Sequence, residues 1–339
     1  MNPLVIDIHA HLFPASLYRR FADRAHEFPG VQLVPVAAAA ESFCLRFMDA
    51  SATRPIIRPL SDLDERRRNM DQTGVDHQIL SLWTDSEGYE LPPAQGLAWS
   101  RFVNECIWDD LIGEPRFTPL ASVPLQDGEM AAKVMLEALE KGFAGVMIGT
   151  LPGGRAGANL DHVSLDPFWQ AASEAGAAIY LHPMFMCGEP RLSDYDLVNA
   201  VGRIADSSIA IARLLFSGHL LKFPGVKLIM SHGGAAVPYA LGRFARNYEL
   251  AQGRYADPRK GFDALYFDSC VFDPEALEFL VRRATAQRVM LGSDSPMTMG
   301  DADPHRVVRQ ASLSDAERSA ILGGNASRVF GIRAAPETN

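Results

Sequence analysis

Residues 4–13 read LVIDIHAHLF, and residues 289–296 read VMLGSDSP. Each is a short apolar run ending in side chains that bind metals: His9 and His11 in the first, Asp294 in the second. Two further runs end the same way, in Tyr180-Leu181-His182-Pro183 and in Met230-Ser231-His232-Gly233-Gly234. Short apolar runs rich in β-branched residues read as strands buried on both faces. Eight such runs occur: Leu4–His9, His77–Leu82, Pro119–Val123, Ala144–Gly149, Ala177–His182, Val226–His232, Leu265–Cys270 and Val289–Asp294. The four that carry metal-binding ends are the first, fifth, sixth and eighth.

Helical segments separate the runs. Trp99, Phe102, Val103, Cys106, Ile107 and Leu111 repeat at intervals of three and four, and Gly113 with Pro115 stops that pattern. Asp166-Pro167 and Asp273-Pro274 read as N-cap and first-turn pairs. Gly74, Gly142 and Gly176 stand where helices should end. Eight strands, each followed by a helix, predict a (β/α)₈ TIM barrel. Residues 27–61 (EFPGVQLVPVAAAAESFCLRFMDASATRPIIRPLS) are too long for a simple connection. They are expected to form a small hairpin insertion after the first strand, near the barrel mouth. The chain thus reads as one barrel domain over 1–332, with a frayed tail over 333–339.

Composition narrows the function. With 339 residues, 47% hydrophobic and 22% charged, this is the make-up of a globular protein with a large core. A net charge of −9 argues against a nucleic-acid surface or a polybasic membrane contact. The segment MNPLVIDIHAHLF lacks the basic start and long apolar stretch of a secretion signal. Cys44, Cys106, Cys187 and Cys270 are scattered and form no CxxC pair, so reduced thiols and a cytoplasmic location are expected.

Barrel enzymes gather their working groups at the C-terminal ends of the strands. Residues two apart on a strand share a side, so His9 and His11 can meet one cation together. A single histidine at a strand end could merely satisfy a hydrogen bond. Imidazoles and a carboxylate on several strand ends of one barrel face point to a shared ion. Such donors suit Zn²⁺, and also Mn²⁺ or Fe²⁺. An open position on that ion would carry water whose pKa falls towards about 7. His26, His162, His219 and His305 lack this setting, and His77 opens its strand at the opposite end.

These residues resemble the amidohydrolase superfamily, and within it aminocarboxymuconate-semialdehyde decarboxylase and related non-oxidative decarboxylases. The resemblance runs through DIHAHLFP at the start, MDQTGVDHQILS at 70–81, RFTPLASVPLQD at 116–127 and GFAGVMIGT at 142–150. It continues in KFPGVKLIMSHGGAAVPYALGR at 222–243, GSDSP at 292–296 and GNASRVFGI at 324–332.

The resemblance implies one divalent ion, Zn²⁺ before Mn²⁺, on His9, His11, His182 and Asp294. It implies His232 as the catalytic acid–base beside the ion, with Asp294 sharing in catalysis. The fourth strand ends Gly145-Val146-Met147-Ile148-Gly149-Thr150, without the lysine that bridges two metals in binuclear relatives. Arg54, with Arg58 as the competing alignment, and Arg243 match arginines that grip substrate carboxylates. Arg243 matches one lent to a neighbouring subunit, which implies a homodimer.

The chain departs from the family pattern at Ser295, where an aromatic residue is common. It departs again at Met184-Phe185-Met186, where the semialdehyde decarboxylase has a tryptophan, and the 83–93 stretch is poorly matched. The activity implied is decarboxylation of an unsaturated or aromatic carboxylic acid. The alternative is hydrolysis of a C–C, ester, lactone or amide bond by the same activated water. A non-catalytic metal scaffold would lack a ligand or His232, and neither is missing.

Overall fold

The computed structural model describes residues 4–36, 42–153, 159–184 and 189–332. Phe185, Met186, Cys187 and the tail 333–339 lie outside the described residues.

Ten strands form. They are β1 (Ile6–Leu12), β2 (Val31–Pro35), β3 (Phe43–Phe47), β4 (His77–Leu82), β5 (Phe117–Pro119), β6 (Val146–Gly149), β7 (Ala178–His182), β8 (Lys227–Met230), β9 (Tyr266–Asp268) and β10 (Val289–Met290). Two parallel sheets run β1-β4-β5 and β10-β9-β8-β7-β6. Backbone bonds join them at both seams. Ala121 donates to Gly145 and accepts from Met147, each at 3.0 Å. On the other side, Ile8 donates to Leu291 at 2.9 Å, Asp294 to His9 at 2.8 Å and His11 to Ser295 at 2.7 Å. The eight parallel strands therefore close on themselves as the expected (β/α)₈ barrel.

The strand bounds differ from the sequence reading in instructive ways. β1 runs on to Leu12 and carries both histidines, with one extra residue against β4 between Asp7 and Ala10. Such bulges commonly sit beside active sites, where they re-aim side chains. The third strand, expected at Pro119–Val123, forms at Phe117–Pro119 and shares only Pro119 with that run, and the last is regular only over Val289–Met290. Beyond Met290 the chain leaves strand geometry, and Asp294 adopts a positive φ of 61°.

The helix ends follow the sequence with one correction. Asp273 caps the helix Pro274–Ala284 by accepting from the Glu275 and Ala276 amides. Gly74, Gly142 and Gly176 close their helices in the left-handed conformation. Asp166 is not a cap. A 3₁₀ turn over Val163–Leu165 feeds directly into the helix Asp166–Ala175, so Leu165 holds the cap position in a helical conformation. The Asp166 carboxylate instead takes the Lys222 ammonium at 2.6 Å.

The long insertion contains an antiparallel hairpin, β2 with β3. It packs by aromatic contacts: Phe47 and Phe28 meet Trp99 edge-on at 5.6 and 5.7 Å, and Phe43 stacks on Tyr18 at 4.4 Å. Trp99 is fully buried, in the helix Pro93–Leu111. Cys44, Cys106 and Cys270 are free thiols. Among the described residues no helix is long and apolar enough to cross a membrane.

The C-terminal GNASRVFGI stretch locks the barrel's last strand to its first. Asn325 donates to the Ala286 and Val289 carbonyls, both at 2.7 Å, and Gly323 lies against Leu4. A Cβ on Gly323 would sit 1.7 Å from the Leu4 carbonyl oxygen, whereas on Gly324 its nearest neighbour would be 3.4 Å away. Gly323→Ala should cost about 1–3 kcal/mol, the range for overpacking. Gly324→Ala should change stability by no more than about 1 kcal/mol. Melting temperatures of the two variants measured side by side check this, and equal losses would contradict it.

Candidate metal centre

β1 delivers His9 and His11 to the same side, β7 ends in His182, and the turn after β10 brings Asp294. One donor atom from each lies within 4.8 Å of all the others, and all four residues are buried. The Asp294 Oδ1 atom is 3.3 Å from His9 Nε2 and 3.2 Å from His11 Nε2. The His182 ring lies 5.2 Å from that of His9 and 4.7 Å from that of His11. This is the size of a cage for one small divalent ion, with ligand bonds of about 2.0–2.2 Å.

Neighbouring groups decide which ring nitrogens face inward. His9 Nδ1 is 2.7 Å from Asp268 Oδ2, and an ionised carboxylate can only accept, so Nδ1 carries the proton and Nε2 is left for an ion. His182 Nδ1 donates to the Pro183 carbonyl at 3.0 Å, with the same result. Nδ1 of His11 is 3.2 Å from the Ser81 hydroxyl. His9 Nε2, His182 Nε2 and Asp294 Oδ1 are buried without a hydrogen-bond partner. Buried polar atoms left unmet in a native fold call for an explanation, and an ion supplies one. The residues present therefore fit a metal. At the end of β6, Gly149 and Thr150 offer no lysine for a second ion.

The electrostatics agree. Burial would raise the Asp294 carboxyl, but His9, His11 and His232 hold it well below the usual carboxylate range. Burial would lower His9, yet Asp294 and Asp268 raise it well above its ordinary value. His182 is driven well down by burial and by the neighbouring His11, His9 and His232.

His232 stands just outside the cage. Its Nε2 is 3.7 Å from Asp294 Oδ2, the oxygen that faces away from His9 and His11. Its backbone φ is +52°, a region costly for a side-chain-bearing residue and typical of functional sites. The Asp268 carboxylate holds that turn by accepting from the His232 amide at 3.0 Å and the Gly233 amide at 2.8 Å.

The two arginines expected at the mouth fare differently. Arg54 is clamped at the C-terminal end of β4. Its Nε and Nη2 donate to the two Asp85 oxygens, each at 2.9 Å, and its guanidinium lies over Trp83 at 5.2 Å. Arg58 pairs with Asp62 and is 80% exposed, so its side chain belongs to the surface. Arg243 lies on the exposed side of the helix Val237–Leu250. On that helix Leu241 is buried and Phe244 packs on Phe216 at 5.6 Å, which is an intramolecular face. Ser295 uses its backbone to meet His11, and Met184 donates its amide to Asp206 at 2.8 Å.

Two functional groups escaped the sequence reading. Asp268 binds His9, the Tyr180 hydroxyl at 2.8 Å and three backbone amides, at His232, Gly233 and Cys270. Its signal was present: an acid inside the apolar run LYFDSC. Arg203 is buried close enough to the cage for its charge to act on His11, His182 and Asp294. Nothing in its local sequence distinguishes it.

Because Asp268 orients His9 and the His232 turn together, Asp268→Asn should weaken metal affinity by about 10–100-fold, the usual cost of losing a carboxylate behind a ligating histidine. Asp85→Asn, at a residue that hydrogen-bonds Arg54 and none of the ligands, should leave it unchanged. Competition titration against a chelator measures both, and equal affinities would contradict the assignment.

Comparison with known proteins agrees with this geometry. The amidohydrolase family profile matches residues 6–332. The 2-amino-3-carboxymuconate-6-semialdehyde decarboxylase of Dictyostelium discoideum is 29% identical over 337 residues, covering 97% of this chain and 92% of that protein. The crystal structure of 5-carboxyvanillate decarboxylase from Sphingomonas paucimobilis superimposes with a TM-score of 0.79, at 24% identity over 97% of this chain and 99% of that one. A dihydroxybenzoic acid decarboxylase from Polaromonas sp. JS666, solved with manganese and 2-nitroresorcinol, gives 0.76 at 22% identity, covering 99% and 98%. With the profile spanning the whole barrel and the donor cage at its strand ends, the chain belongs to the amidohydrolase family.

Proposed function

We propose that this protein is a metal-dependent non-oxidative decarboxylase acting on an unsaturated or aromatic carboxylic acid. The observation that carries the reading is His232, poised 3.7 Å from the outer oxygen of Asp294 beside a four-donor cage, in a chain whose relatives include decarboxylases. Three imidazoles and one carboxylate favour Zn²⁺, with Mn²⁺ next. A divalent ion on His9, His11, His182 and Asp294 supplies Lewis acidity towards a substrate oxygen.

The protein's own groups do the rest. Loss of CO₂ leaves electron density on carbon that a proton must quench. His232 Nε2 delivers that proton, and Asp294 Oδ2 beside it steadies the charged ring. Asp268 keeps the His232 turn in place. Arg54, already oriented by Asp85 and the Trp83 ring, grips a substrate carboxylate with its guanidinium fork. The hairpin insertion within 27–61 brings Arg54 to the mouth, as part of a single domain over 1–332.

Arg243 faces outward in its own chain, which suits a residue lent to a neighbouring subunit's site, and we read the active form as a homodimer. The free cysteines at positions 44, 106 and 270 suit a reducing, cytoplasmic setting.

His232→Ala should retain its metal but lose turnover by about 10²- to 10⁴-fold, the usual worth of general acid–base catalysis. CO₂ release from hydroxybenzoates and unsaturated acids, with metal content measured alongside, provides the assay. Near-normal rates in that variant would remove His232 from the mechanism. Water-dependent cleavage into two organic fragments, without CO₂, would replace the decarboxylase reading with a hydrolase. If Arg243 serves a neighbour's site, mixing inactive Arg243→Ala and His232→Ala proteins should restore part of the activity. No recovery after subunit exchange would mean that each chain works alone.

A further inference from the structure

Trp83 stands one residue past β4 at the barrel mouth, at the start of the 83–93 stretch that departs from the family pattern. Its backbone is still extended, and its amide donates at 2.8 Å to the carbonyl of Leu12, one residue past His11. The direction of its side chain follows from the strand below it. Ser81 pairs with His11 in the β1–β4 register, and its hydroxyl lies 3.2 Å from His11 Nδ1, so Ser81 faces the barrel interior. Residues two apart on a strand share a side. Trp83 therefore rises on the same side as Ser81 and His11, one step nearer the mouth.

The Trp83 residue is only 3% exposed, and its indole N–H has no hydrogen-bond partner. Two other buried tryptophans behave differently. Trp99 donates to the Ser86 carbonyl and Trp169 to the Leu160 carbonyl, each at 2.9 Å. An indole nitrogen only donates, and a buried donor left unmet calls for an explanation. The group that completes it must be an acceptor. Over the same ring lies the Arg54 guanidinium, 5.2 Å from the ring centre and held there by Asp85. A cation over the ring face and a donor at the ring edge can take one carboxylate between them, one oxygen each.

We propose that Trp83 is a substrate-binding residue whose indole N–H donates to the same carboxylate that Arg54 takes, selecting carboxylates over neutral ring compounds. The inference rests on the decarboxylase reading for its carboxylate, but its test is a binding measurement and so stands apart from turnover.

The probes are benzoate and benzamide, titrated calorimetrically into manganese-loaded protein. Trp83→Phe keeps an aromatic face under Arg54 and removes the N–H. It should bind benzoate about tenfold or more weakly than wild type, the worth of a hydrogen bond to a charged group, while benzamide weakens by no more than about threefold. Metal content should stay unchanged. A second measurement needs no variant. In zinc-loaded wild type carrying nitrogen-labelled tryptophan, benzoate should move one of the four indole N–H resonances downfield, and benzamide should move it less. Equal weakening of both probes in Trp83→Phe would mark a packing residue and overturn the proposal. Unchanged benzoate affinity in that variant would do the same, as would a wild type in which saturating benzoate moves no indole resonance. Wild type binding benzoate no more tightly than benzamide would also end it. Trp83-dependent benzoate binding in a protein that releases no CO₂ would leave Trp83 in place and refute only the decarboxylase reading.

Discussion

Asp294 does two jobs through one backbone kink. Its amide donates to the His9 carbonyl, helping to stitch the last strand of the barrel to the first. Its carboxylate faces His9 and His11 with one oxygen and His232 with the other. Asp294 sits four residues past β10 with a positive φ of 61°. Barrel closure and cage assembly are consequently the same event, and the site cannot form in a chain whose seam is open.

Around that seam the interior is polar by necessity, and the carboxylates behind the cage are hydrogen-bonded. Asp7 accepts from the His9 and Ser293 amides, each at 3.0 Å, from the Ser293 hydroxyl at 2.6 Å and from Gln78 at 2.9 Å. Arg66, fully buried, donates to the His11 carbonyl at 2.5 Å and to Gln78. On the far side Asp268 gathers His9, Tyr180 and three amides. A buried carboxylate is tolerable only when its lone pairs are met. Here each one spends its bonds fixing the backbone or ring orientation of a metal-binding residue, so desolvation is offset by the same contacts that shape the cage.

The mouth above the cage is asymmetric. On one side the hairpin insertion is anchored through Phe47 and the fully buried Trp99, and Arg54 follows it in the chain to meet Asp85. On the other, the helix beginning at Arg203 is tied to the ends of β6 and β7 through Asp206. Both arginines sit on elements fastened by several independent contacts.

Much of this could be read before any coordinates. Apolar runs bounded by glycines and prolines marked all eight barrel strands, because strands buried on both faces tolerate little else. HxH on β1, His182 after Leu181 and Asp294 after Gly292-Ser293 marked the cage, because strand ends on one rim of a barrel share a single space. What the linear chain left open are the features that depend on distance across that space. Arg54 and Arg58 are equivalent as letters, and only the packing of Trp83 and Asp85 separates them. Asp166 looked like a cap until the 3₁₀ turn before it occupied the cap position. Asp268 shows its role only once β9 lies against the histidines, because a buried charge is defined by its neighbours in space and not by those along the chain.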